Sequence, residues 1–228
     1  MIRRVVKIAV IDSGVAVPHP HIGAITGGVS IDENGESSDY RDSIGHGTAV
    51  MAAIMEKAPP SEGFVEYFAV RVFRSALRTR INFLLRAIDW SIEQRVDLIN
   101  LSLGTSNPVH ADRFAPLIAR AADAGALLIS AAHTLPGSLA GVIAVDGNPD
   151  CPRDQYRVVR SQEGVEFAAS IYPRPIPGVA PERNLHGISF AVANMTGFAA
   201  RACESLKYPS YQSVCAALEI GSSSKPRS

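Results

Sequence analysis

The chain has 228 residues, 46% of them hydrophobic and 19% charged, with 22 basic and 22 acidic side chains and a formal net charge of zero. That length suits one sizeable core, so one domain over residues 1–228 is expected. Balanced charge excludes a global field that would gather DNA, RNA or an anionic membrane, and neither nucleic acid nor membrane is an expected partner.

Residues 5–11 (VVKIAVI) form a short, β-branched apolar run that ends in Asp12-Ser13-Gly14, which reads as a buried strand closing in a turn with Asp12 at its carboxyl end. The basic opening and the interrupting Lys7 are too charged and too short for a signal peptide, and no later run approaches a membrane span. A cytoplasmic chain without signal peptide or propeptide is expected. Residues 49–55 are helix formers without a breaker, placing His46 near a helix start. Residues 65–73 (VEYFAVRVF) predict a second core strand, and 81–95 an amphipathic helix with Leu84, Leu85, Ile88 and Ile92 on one face.

A third strand is predicted over 97–103, stopping at Gly104; a helix over 112–124, stopped by Gly125; a buried strand over 126–132; and a short one over 142–145. Strands alternating with helices of this length predict right-handed βαβ crossovers. The expected fold is α/β and doubly wound, a mostly parallel sheet with helices on both faces. Residues 150–184 are less regular, with Pro152, Pro173, Pro175, Pro177 and Pro181, and strands at 156–160 and 165–168. From Ser189 to Glu204 the residues are small and apolar, a helix buried on most sides; a last helix over 211–218 precedes a tail, 221–228, expected to be flexible. Cys151, Cys203 and Cys215 are an odd, widely spaced set without CxxC or Cys/His spacing, so they read as buried thiols. No metal and no cofactor is expected.

In open α/β sheets, sites form outside the carboxyl ends of the strands. Asp12, the run Ser102-Leu103-Gly104 and His133 all fall at predicted strand ends, while His46 and Ser189 fall at helix starts, where developing negative charge is favoured. Singly, such a serine is an ordinary N-cap, such an aspartate a turn residue and such a histidine a surface group. Together they could face one cleft. His19, His21 and His110 keep the bland reading, although His19 and His21 could border that cleft, as could His186.

Three blocks carry a family pattern: residues 9–15 (AVIDSGV), 45–52 (GHGTAVMA) and 186–193 (HGISFAVA) leading to Gly197. Two more follow it, 98–104 (LINLSLG) and Pro136-Gly137 with 142–145 (VIAV). In this order and spacing the chain resembles the subtilisin-like serine peptidases over most of its length. The resemblance implies a serine endopeptidase acting on peptide or protein substrates, with Ser189 as nucleophile, His46 as general base and Asp12 orienting the imidazole. It implies that Ser102, Leu103 and Gly104 pair with an extended substrate. Gly45 and Gly47 would let the chain turn around the histidine, and Gly187 before the serine.

The pattern breaks in places. His133 stands where the family has an asparagine that stabilises the oxyanion, and an imidazole N–H could donate in its stead. Ile188 stands where threonine is usual, the segment between His133 and Pro136 is short, and residues 56–60 lack the calcium-binding loop of many relatives. Trimmed loops suggest a processing protease that matures a peptide precursor. A catalytically impaired peptide-binding relative, or acyl transfer to an amine through the same acyl-enzyme, are the alternatives. The sequence leaves the oligomeric state open.

Overall fold

The apolar runs become the centre of one sheet. The computed structural model describes residues 4–161 and 164–223. The expected features at residues 1–3 and 224–228 lie outside the described residues, while 221–223 complete the last helix instead of opening the tail. In chain order the elements are β1 (Val6–Asp12), β2 (Gly27–Asp32), β3 (Gly35–Ser37), α1 (His46–Lys57), β4 (Val65–Arg71), α2 (Ile81–Glu93) and β5 (Leu98–Leu101). Then follow α3 (Ala111–Asp123), β6 (Leu127–Ala131), β7 (Ile143–Asn148), β8 (Tyr156–Ser161), β9 (Gly164–Ser170), α4 (Ile188–Glu204) and α5 (Tyr211–Ser223).

The sheet order is β3-β2-β4-β1-β5-β6-β7-β9-β8. Every pairing is parallel except the hairpins β2–β3 and β8–β9, which end the sheet on either side. Helices cover both faces, as expected. Ile8 and Val10 of β1 pack with α1, α4 and α5, whereas Ala9 and Ile11 pack with α2 and α3, the period-2 alternation of a strand buried on both sides. From β1 the chain builds one half of the sheet through β4 and the other through β5 and β6. The order therefore reverses at β1, where open α/β sheets leave a crevice.

Two departures matter. The β2–β3 hairpin has no counterpart among the predicted strands, because its two opening glycines and its three exposed outer residues carry no apolar alternation. And β5 stops at Leu101, so Ser102, Leu103 and Gly104 run on past the ladder instead of inside a strand reaching 103.

Candidate active site

Asp12 is the last residue of β1, fully buried, and His46 is the first residue of α1. His46 Nδ1 lies 2.8 Å from Asp12 Oδ1 and 3.0 Å from Oδ2. That contact turns the imidazole so that Nε2 points away from the carboxylate. Burial of the ring pulls the His46 pKa down, but the hydrogen bond and charge of Asp12, joined by the charge of Asp42, outweigh it and the net shift is upward.

The helix start is brought onto β1 by small and polar groups. Gly47 lies so close to the 13–14 turn that an added Cβ would sit 2.4 Å from the Gly14 carbonyl oxygen, so only glycine allows this approach. Gly45, at the N-cap, has φ +91 and offers no side chain to the open N–H groups. Asp42 supplies it. Its carboxylate accepts from Ile44 N–H and Gly45 N–H at 2.8 Å, Thr48 N–H at 2.9 Å, Thr48 Oγ1 at 2.6 Å and Ser13 Oγ at 2.9 Å. Ser13 Oγ in turn accepts from Gly47 N–H at 2.8 Å, and Ser13 N–H donates to Asp12 Oδ1 at 2.7 Å. Desolvation pushes the Asp42 pKa up, but these donors, Thr48 foremost, bring it below the usual carboxylate range. Sequence reasoning missed Asp42, which stands in the polar run DYRDSIGHG; its place four residues before the histidine was the available signal.

Ser189 is the second residue of α4, entered through Gly187 at φ +146. Its backbone N–H belongs to the first turn, where the helix dipole favours negative charge. Its side-chain proton goes to the Ser102 carbonyl at 3.0 Å, and Ser102 Oγ lies 3.0 Å from both the Ser189 carbonyl and Asn100 Oδ1. Asn100, fully buried in β5, donates to Thr196 Oγ1 of α4 at 2.9 Å, so a buried polar chain fixes Ser102 against the serine's helix. A lone asparagine inside LINL was its only sequence signal.

His46, Ser189, Ser102, Leu103 and Gly104 line one cavity of about 590 Å³, completed by Phe73, Leu77, Arg78, Ile81, Leu84 and His110. His110, expected as a plain surface group, thus belongs to it. His19 and His21 line a second hollow of about 320 Å³ with Gly45, Arg174 and Leu185. His186 is exposed, with Nδ1 3.2 Å from the Asn184 carbonyl. His133 follows β6 with its side chain 77% exposed and Nε2 3.9 Å from Asp146 Oδ2. Among the described residues, no group of three or more His, Cys, Asp or Glu is placed to hold a metal ion.

A family profile described as the subtilase family matches residues 3–145. The chain belongs to the subtilase family. It is 31% identical over 208 residues to subtilisin of Bacillus pumilus, an alignment covering 85% of this chain and 72% of that protein. It is 30% identical over 207 residues to subtilisin E of Bacillus subtilis (strain 168), covering 85% of this chain and 52% of the relative, about half its length. A solved structure described as a lanthipeptide protease shares the subtilase fold, with TM-score 0.69 and 20% identity over 92% of this chain and 77% of that one. Among the described residues of this subtilase, no helix is long and apolar enough to cross a membrane.

Proposed function

We propose that the chain is a serine endopeptidase whose chemistry is carried by Ser189, His46 and Asp12. The observation that supports this most is the buried Asp12–His46 hydrogen bond at the carboxyl end of the central strand, beside the cavity that also holds Ser189. A substrate extended along Ser102–Gly104 would offer its amide N–H to the Ser102 carbonyl, the acceptor that Ser189 now uses. Binding then competes for that oxygen and frees the hydroxyl for His46 Nε2. His46 takes the proton as Ser189 Oγ bonds to the scissile carbonyl carbon, and returns it to the leaving amine as the C–N bond breaks. Water repeats the sequence on the ester and restores Ser189. Asp12 holds the tautomer and stabilises the imidazolium, while the Ser189 N–H stabilises the oxyanion together with His133, once its side chain rotates inward from the exposed position it has here.

The natural substrate in this reading is a peptide precursor processed in the cytoplasm. The short segment after His133 and three free, buried cysteines support it, as does the fold shared with a protein described as a lanthipeptide protease. A fluorophosphonate probe labels the wild type and spares Ser189→Ala, and Asp12→Asn lowers kcat by about 10⁴-fold. Equal labelling of wild type and Ser189→Ala overturns the assignment. A second reading, an impaired subtilase that only binds peptides, is favoured by the outward position of His133. Peptide binding by a wild type that resists the probe decides for it.

A further inference from the structure

We propose that this chain cleaves after a small residue, glycine, alanine or serine, because Thr134 fills the slot that would receive the side chain at the scissile bond. This rests on the reading above, that Ser189 acylates a peptide lying along Ser102–Gly104. Successive side chains of an extended peptide point to opposite sides. On one side of the 102–104 run lies the cavity with His46 and α2 residues Ile81 and Leu84. Beyond the other side lies the strand neighbour β6 and the segment that follows it, since the sheet runs β1-β5-β6. A substrate residue whose neighbour enters the His46 cavity must face residues 131–135.

That side is narrowed by a backbone pairing. Thr105 N–H donates to the Leu135 carbonyl at 3.0 Å, and Leu135 N–H to the Thr105 carbonyl at 2.9 Å. The pair draws residue 134 against the substrate run: a Cβ built on Gly104 would lie 2.6 Å from Thr134 Oγ1, 3.2 Å from Thr134 Cβ and 2.6 Å from the Leu135 carbonyl oxygen. Thr134 is held on both sides, its N–H on the Ala131 carbonyl at 3.3 Å and its carbonyl on Ser138 N–H at 3.0 Å. As a β-branched residue it has little rotamer freedom with which to yield. A hydrogen, methyl or hydroxymethyl fits such a slot, whereas leucine or phenylalanine meets Thr134. Discrimination among larger side chains passes to the cavity on the other side, whose walls include Phe73, Leu77 and Leu103.

Peptides with randomised upstream positions, a fixed residue before a fluorogenic amide, and Gly, Ala, Ser, Leu or Phe at that position test this by kcat/KM. The small residues should exceed Leu and Phe by roughly 10- to 200-fold, the range one misfitting group commands in a pocket. Thr134→Gly brings the ratio towards one and Thr134→Ser moves it part-way; peptide aldehydes ending in Ala or Phe give the same ranking as inhibitors of the wild type, whether or not the variants fold. A wild type that takes the fluorophosphonate probe yet cleaves after Phe as fast as after Ala overturns the slot assignment alone, as does an unchanged ratio in a folded Thr134→Gly. A wild type that neither labels nor cleaves overturns the acylation reading, and the slot assignment falls with it.

Discussion

Asp42 touches no reacting atom, yet two properties of His46 pass through it. Its carboxylate organises the N-terminus that carries the histidine, and its charge stabilises the imidazolium, adding to Asp12. In the proposed mechanism His46 works as base only when its imidazole is neutral, so kcat/KM should rise with pH along a limb set by His46, displaced above the ordinary value of 6.5. Removing the Asp42 charge destabilises the protonated form and lowers that pKa. In Asp42→Asn the limb therefore moves to lower pH, by up to about one pH unit. The loss of a charged cap also costs about 0.5–2 kcal/mol of stability. A purely structural role would lower activity without moving the limb, and a pH–rate profile of both proteins separates the two. That Asp12 would meet His46, and His46 share a cavity with Ser189, was legible in the sequence because each sits in a motif whose neighbours are themselves constrained, Gly47 by contact with Gly14, Gly187 by its backbone angle. Asp42 was not, because its role comes from the chain folding back over α1.

At the scale of elements, α1 and α4 share a buried cation. Lys57, at the end of α1, donates to Asn194 Oδ1 of α4 at 2.6 Å with its side chain 8% exposed, and its ammonium lies 5.4 Å from the Phe198 ring centre. Burial lowers its pKa to about 8, against the partial support of Glu56. Between that value and the unfolded one near 10.5 the unfolded chain holds the extra proton, so this lysine makes stability rise with pH across the window. Urea unfolding at pH 7 and about 9.5 should show the difference between wild type and Lys57→Met changing by about 2 kcal/mol in favour of the wild type. A difference independent of pH would mean the ammonium is as well solvated as in the unfolded chain. Neither the contact nor its burial could be read from Glu56-Lys57-Ala58, which looks like an ordinary charged helix end. Of the helices, α2 was legible from its apolar spacing and α1 and α4 from runs of helix formers and of small apolar residues, and the strands buried on both faces were legible as apolar runs. The β2–β3 hairpin was not, since one of its strands is exposed and the other opens on glycine.

For the molecule as a whole, the doubly wound plan followed from alternation of apolar strands and amphipathic helices, a signal that survives errors of a few residues at each end. What joins distant parts of that plan was less visible, because ion pairs depend on which surfaces meet. At the end of the helix that carries His46 and just beyond it, where many relatives place a calcium loop, Glu56 pairs with Arg153 and Glu62 with Arg201. These pairs tie α1 to the turn before β8, and the turn before β4 to α4. Their carboxylates face arginines, and a hard cation demands six or more oxygens. EDTA should therefore leave the melting temperature within about 1 °C of its value in calcium. The Arg153 and Arg201 pairs are partly exposed and worth at most about 1 kcal/mol each, so moderate salt should lower the melting temperature by only a few degrees. A fall of about 5 °C or more on chelation, reversed by calcium, would place a structural cation in this region and overturn the reading that arginines hold it.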